Sequence, residues 1–453
     1  MSEHRGSWVS DRNVALFTDL YELTMAQAYW REEMHGDAVF TLYYRTLPEE
    51  RNLILACGLH DALSYLESLA FDDDALAWLR ARDELDPAFV DWLGGVEFTG
   101  SVRAMPEGTP VFPDEPLLEV AGPLPVAQLA ETAIMNQVHM QTVLASKAYR
   151  VKAAAGDRAV VDFGLRRMHG ADAGLKGARA FHIAGIDATS NVLAGRVYGL
   201  PITGTMAHSY IQAHESEMAA FRAFAETYPE TVLLVDTYDT LEGVRKVVRL
   251  AEELGDGFRV RGVRLGSGDL GALAKRARAI LDQARLTDVE IFVSGGLDEH
   301  RIRRLLADGA PIDGFGVGTY MGTARDAPAL DMAYKLTEYR GRGRLKLSSG
   351  KRILPGPKQV WREEEDGVAV RDRITTAEEE APGRPLLEPV MEAGRRLPAG
   401  RRSPDEARAH AAEAIAGLPA RIRGLDPADP PYPVEVSETL EQRQDRVVER
   451  LDV

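Results

Sequence analysis

Six short apolar runs alternate with helical patterns between residues 158 and 320, and that rhythm leaves few folds open. The runs are Ala159-Val160-Val161-Asp162-Phe163, Pro201-Ile202, Val232-Leu233-Leu234-Val235, Gly262-Val263-Arg264-Leu265, Glu290-Ile291-Phe292-Val293 and Gly314-Phe315-Gly316-Val317. Each has the length and apolar continuity of a strand buried on both faces. Thr240 to Leu254, Asp269 to Ala284 and Asp298 to Asp308 carry helical periodicity between them. Strand, helix, strand in this order builds a parallel sheet. No dinucleotide fingerprint is present, so an irregular TIM-like α/β barrel is expected over an open doubly wound sheet.

The residues just past each run are polar, reactive or rich in glycine. Arg166-Arg167, Thr205 and His208, Asp236-Thr237, Ser267 with Asp269, Ser294-Gly295-Gly296 and Gly318-Thr319 stand at the successive C-terminal ends, where barrel enzymes build their sites. Asp269 and Asp298 are equally suited to capping the helices they precede. The turns Ser294-Gly295-Gly296 and Gly316-Val317-Gly318-Thr319 let backbone amides approach an anion, which points to a phosphate site. Arg166-Arg167 offers planar, charge-assisted bonds to a carboxylate or phosphate, with the flat ring of Phe163 beside them. His208, framed by Gly204-Thr205-Met206-Ala207 and Ser209, is a base or nucleophile in a loop, or a histidine that only ties the loop down. Asp236 is placed for a sugar hydroxyl or a magnesium-bearing pyrophosphate.

The chain outside this region divides by pattern. Residues 1–125 read as a mixed α/β domain, with a helix from Thr18-Asp19-Leu20-Tyr21 to Trp30, a strand at Ala38 to Arg45, helices at Ile54 to Ala70 and Asp74 to Leu93, and strands within Thr99 to Glu119. A long helical pattern at Val126 to Ala154 opens the barrel domain, 126–345. Residues 346–395 form a C-terminal segment expected to pack on the N-terminal domain. Residues 396–453 form an acidic, proline-containing tail with a capped helix at Ser403-Pro404-Asp405-Glu406 and a final helix from Ser437. The basic stretch Lys346 to Arg362 lies between barrel and tail. The formal charge of -16 argues against nucleic acid or an anionic membrane as partner. The single cysteine, Cys57, excludes a disulfide framework and any multi-cysteine metal site. Met1 to Val9 is polar and no run has the length of a membrane span, so a cytoplasmic protein is expected. Serine hydrolase, P-loop and dehydrogenase motifs are absent.

In order, Thr18-Asp19-Leu20-Tyr21, Phe163-Gly164-Leu165-Arg166-Arg167, Gly204 to Ser209, Asp236-Thr237-Tyr238, Ser267-Gly268-Asp269 and Ser294-Gly295-Gly296 resemble the nicotinate phosphoribosyltransferase family, over about residues 12 to 362. The resemblance implies a type II phosphoribosyltransferase, a head-to-tail homodimer that joins nicotinate to phosphoribosyl pyrophosphate in NAD biosynthesis. It implies magnesium, bound through the substrate phosphates, and ATP as co-substrate. His208 matches the histidine that such enzymes phosphorylate. Nicotinate would stack between Phe163 and Tyr21, the latter from the partner subunit, with Arg166 and Arg167 at its carboxylate. Ser190 would favour acid over amide. The phosphoribosyl donor would meet Arg45 from the partner, Asp236, Arg264, Ser267, Asp269, Ser294, Gly295, Gly296, Gly316, Gly318 and Thr319.

One position departs from the pattern. Gly266 stands where the family usually has an aspartate that reaches the ribose hydroxyls. Its loss is expected to weaken donor binding, and Gly266→Asp to restore it. The other readings are a weakly active or non-catalytic paralogue that binds phosphoribosyl compounds, and a phosphoribosyltransferase for another pyridine base.

Overall fold

The computed structural model describes residues 9–10, 13–347 and 353–451. The polar N-terminal stretch up to Trp8 and positions 348–352 of the basic segment lie outside the described residues. Those described up to Ala145 and from Ala329 onward form one compact unit, and Ser146–Pro328 form the other.

The second unit is built on a six-stranded parallel sheet. Its order is Ala188–Thr189, Ala159–Asp162, Gly314–Val317, Glu290–Ser294, Gly262–Leu265 and Val232–Leu234. Five of the six apolar runs are these strands. The sixth, Pro201-Ile202, supplies only a single parallel bridge from Ile202 to Thr189. Proline has no N–H to extend a ladder, so this run adds only that bridge, on the outer side of the short Ala188–Thr189 strand, which the apolar pattern did not mark and which pairs with Ala159–Asp162. The sheet therefore curls as an irregular part-barrel whose ladder stays open between its first and last strands.

Three of the turns after strands are fixed the same way. Asp239, Asp269 and Asp298 accept from the amides of Glu242, Ala272 and Arg301, and so cap helices Thr240–Leu254, Leu270–Gln283 and Glu299–Ala307. The first of these buries Leu241, Val244, Val247 and Leu250, one apolar stripe at helical spacing. Strands and helices meet over Val160, Leu233, Val263, Val293 and Phe315, all fully buried. The C-terminal strand ends are thereby set side by side.

The first unit holds a seven-stranded antiparallel sheet, in the order Arg342–Gly343, Met332–Tyr339, Asp37–Tyr44, Pro116–Pro123, Ser101–Ala104, Glu388–Glu392 and Arg395–Arg396. Strands from both ends of the chain thus share one sheet. Three helical readings are corrected, the first being the Val126 to Ala154 pattern, which is two helices, Leu124–Leu129 and Glu131–Ala155. Ile54–Leu55 is a strand, and its helix is Leu59–Glu67. Asp74 to Leu93 breaks into Asp73–Arg80 and Pro87–Leu93, because Pro87 cannot continue a helix while Asp86 caps a new one. The tail is part of this unit. Asn52 Nδ2 donates to the carbonyls of Arg421, Gly424 and Asp426, and its Oδ1 accepts from Ala428 N. Arg362, fully buried, pairs with Asp372 at 2.6 Å, and Tyr432 of the tail donates to the same carboxylate. Among the described residues no helix is long and apolar enough to cross a membrane.

Helix Leu20–Arg31 carries Tyr21 on its exposed side and Glu22 on its buried one. Glu22 Oε2 accepts from Gln128 Nε2 at 2.6 Å, while Oε1 is buried without a partner. Burial pushes its carboxyl up to about 7 from 4.5, although hydrogen bonds from Tyr21 and Gln128 pull the other way. The folded protein therefore binds this proton more tightly than the unfolded chain does. The resulting stability is complete below the ordinary carboxylate range and is lost as pH rises through about 7. Glu22→Gln removes the dependence. Thermal melts should place the variant roughly 2–4 °C above the parent at pH 8, with the gap closing toward pH 5.

Candidate active site

The C-terminal strand ends of the parallel sheet open onto a cleft of about 600 Å³, the volume of a small-ligand site. Phe163, Arg166, Arg167 and Ser190 form one side. The loop of Thr205 to His208 and Arg264 form another, and Ser294-Gly295-Gly296 with Gly316, Gly318 and Thr319 close the rest. Most residues selected from sequence thus meet in one place. Tyr21 and Arg45 belong to the other compact unit. There Arg45 pairs with Asp331 at 2.6 Å and lies over the Tyr43 ring.

The wall at Phe163 is held from behind by Asp162, which residue order does not single out. It is buried, accepts from Gly164 N and Thr189 Oγ1 at 2.7 Å each, and so fixes both the Phe163 to Arg167 turn and the approach to Ser190. Burial raises its carboxyl, and these two donors pull it back. Its only sequence signal is a carboxylate ending an otherwise apolar strand. Leu165–Arg167 form one turn of 3₁₀ helix, which presents both arginines to solvent at the cleft's mouth.

His208 begins the short helix His208–Gln212 and is exposed. Its Nδ1 lies 3.0 Å from Thr237 Oγ1, at the end of the neighbouring strand. That contact orients the ring and leaves Nε2 without a partner among the described residues.

Asp236 Oδ2 accepts from Ser267 Oγ at 2.7 Å and from Gly266 N at 3.1 Å, while Oδ1 is buried without a partner. This arrangement bears on the departure at 266. A Cβ on Gly266 would stand 3.2 Å from Asp236 Oδ2. Part of the space a longer side chain would need is therefore taken by a carboxylate that Gly266 itself binds. The Asp236 carboxylate already stands beside residue 266, so on this geometry a second carboxylate is expected to crowd the site and not to add a contact. Gly266→Asp should weaken donor binding about tenfold through like-charge crowding, as read by calorimetric titration. Asp269 uses its Oδ1 as the cap of Leu270–Gln283.

The glycine turns are shaped by what approaches them. Gly295 has φ +89°, and a Cβ there would lie 2.2 Å from the Gly266 carbonyl oxygen. Gly316 is packed beneath the Phe163 ring, whose nearest atom would be 2.3 Å from an added Cβ. Arg301, from helix Glu299–Ala307, donates Nη1 to the carbonyls of Gly295 and Gly296 at 3.1 Å each. These bonds draw the carbonyls of the turn toward that helix.

Comparison with known proteins places this geometry in a family. Residues 16–139 match the model of the nicotinate phosphoribosyltransferase N-terminal domain, and residues 158–362 the nicotinate phosphoribosyltransferase family model. A nicotinate phosphoribosyltransferase of Mycobacterium tuberculosis is 55% identical over 426 residues, 94% of this chain and 92% of the relative. One from Bacillus subtilis is 45% identical over 360 residues, 78% and 74% of the two chains. The crystal structure of human nicotinic acid phosphoribosyltransferase superposes with a TM-score of 0.83 at 30% identity, covering 95% of this chain and 99% of that one. Both family segments lie in order along the chain, and the strand ends that form the cleft fall inside the second; the chain belongs to the nicotinate phosphoribosyltransferase family.

Proposed function

We propose that the cleft transfers a phosphoribosyl group from phosphoribosyl pyrophosphate to nicotinate. The pyridine nitrogen bonds to the ribose anomeric carbon as the bond to pyrophosphate breaks, giving nicotinate mononucleotide. The observation that carries this reading is the meeting of an aromatic ring, two arginines and two glycine turns around one cleft in a chain of this family. Phe163 offers a face for the pyridine ring, and Arg166 and Arg167 offer cations for its carboxylate. Ser190 puts a neutral group at the base, where a carboxylate would repel an acid. The turns at Ser294 to Gly296 and Gly316 to Thr319 receive the 5-phosphate through backbone amides. Asp236 Oδ1, buried and unpartnered, is the acceptor left for a ribose hydroxyl.

Magnesium carried on the pyrophosphate would neutralise its charge, and Asp236, bonded to the cleft-lining Gly266, is a carboxylate that would hold such an ion. ATP coupling runs through His208, whose free Nε2 accepts the γ-phosphoryl group as its bond to ADP breaks and ADP leaves. A homodimer supplies Tyr21 and Arg45 from the second copy. In support, Val192, Leu193, Val197 and Ile202 expose more than half their surface beside Ser190, and Leu20 and Tyr21 about half of theirs.

The purified protein should release pyrophosphate only when nicotinate and phosphoribosyl pyrophosphate are both present, and ATP should raise the yield. Nicotinate-independent release, or none with either pyridine acid or amide, would remove this reading.

A further inference from the structure

Arg264 lies in the strand Gly262–Leu265, one residue from its C-terminal end, where residue order assigns it to the donor phosphates. Its fork is already engaged. Nη1 donates to Thr205 Oγ1 at 2.7 Å and Nη2 to the Met206 carbonyl at 2.8 Å, both on the loop that leads into His208. The guanidinium also lies over the Phe163 ring, its carbon 5.8 Å from the ring centroid. Nε is buried without a partner, and each Nη keeps one further N–H beyond its bond to the loop.

The loop needs such an anchor. Thr203 N donates to Thr189 O and Tyr210 N to Ala207 O, but the stretch between has no regular structure. Gly204 has nothing within 4 Å of where its Cβ would be. Along with the buried Met206 side chain and the His208 contact to Thr237 at the loop's end, the Arg264 fork ties this stretch to the sheet. A lysine cannot replace it, since a single ammonium does not span two acceptors in one plane while lying on a ring.

We propose that Arg264 is a positioning residue: one guanidinium holds the His208 loop through Thr205 and Met206 and carries the Phe163 ring on its face, keeping histidine and base platform in fixed register. This rests on the proposed reaction and on the roles it gives His208 and Phe163. Burial lowers the Arg264 affinity for its proton, Asp236 offsets part of this and Arg166 adds to it, and the guanidinium stays charged throughout.

Two variants test it, Arg264→Lys and Thr205→Val, the second removing the loop's acceptor without touching the charge. Hydrogen exchange across residues 203–208 should quicken about tenfold in both, with residues 290–294 unchanged. In kinetics, Thr205→Val should lower kcat of the ATP-coupled reaction about tenfold with donor KM within about twofold of the parent. Arg264→Lys should do the same and also raise nicotinate KM. Unchanged exchange in the loop overturns the proposal, as does a rise in donor KM alone in Arg264→Lys, which would make the residue a donor ligand. If the parent protein shows no turnover, the proposed reaction fails while hydrogen exchange still decides the role of Arg264. If Arg264→Lys does not fold, Thr205→Val carries the test.

Discussion

Gly295→Ala should cost at least about a hundredfold in kcat/KM for the phosphoribosyl donor, since a displacement near 1 Å at a reacting centre has that effect. The substitution meets two obstacles. Its φ of +89° is one an L side chain rarely adopts, and its Cβ would stand 2.2 Å from the Gly266 carbonyl oxygen. That neighbour is backbone, so relief requires the ends of two adjacent strands to part. The Ser294 turn and the Asp236 to Gly266 bond would then move together. Gly296→Ala is the control. Its nearest neighbour is Arg301 Nη1 at 3.0 Å, the far end of a flexible side chain that can give way. Steady-state kinetics on both, with thermal melts to separate misfolding from misplacement, should show a much smaller loss at 296. Equal losses would mean that the turn fails through its shared φ requirement and not through contact with Gly266.

His208→Asn should abolish ATP stimulation while leaving a slow ATP-independent reaction. The amide has no nitrogen lone pair to accept a phosphoryl group, but it can still meet Thr237 Oγ1, so the loop should keep its place. A phosphohistidine beside the bound pyrophosphate would contribute about 1.5–3 kcal/mol through charge-assisted and metal-bridged contacts, equivalent to roughly ten- to a hundredfold at limiting donor. Intact-mass spectrometry after incubation with ATP should find one phosphate on the parent and none on the variant. A variant that still responds to ATP would move the acceptor to another group.

Much of this site could be read from residue order because its parts recur after each strand. The glycine turns, the arginine pair, His208 and Asp236 all stand where an apolar run ends, and a parallel sheet must bring such ends together. What residue order could not give is the partner of each glycine. Gly295 yields to the Gly266 backbone and Gly316 to the Phe163 ring, contacts that need three-dimensional adjacency. The same gap concealed Asp162 and the Arg264 fork, whose work is done on loops distant in sequence. Pro201-Ile202 misled for a simpler reason. Two apolar residues mark a strand by hydropathy, but Pro201 has no N–H to extend a ladder, and Ala188–Thr189, which hydropathy misses, stands between this run and Ala159–Asp162. The N-terminal half was harder, since Ile54–Leu55 and the break at Asp86-Pro87 interrupt helical patterns that hydropathy carries through.

The seven-stranded sheet has a temporal consequence. Strand Asp37–Tyr44 pairs with Pro116–Pro123 on one side and Met332–Tyr339 on the other. At about 5–20 residues per second, the ribosome delivers the second partner roughly 15–60 s after the strand itself. Through that interval one edge of Asp37–Tyr44 has no mate, and the parallel sheet of Ser146–Pro328 is completed meanwhile. A nascent chain of this enzyme thus carries an open, aromatic-rich strand edge for most of its synthesis, the kind of edge that pairs with other chains until its own mate arrives.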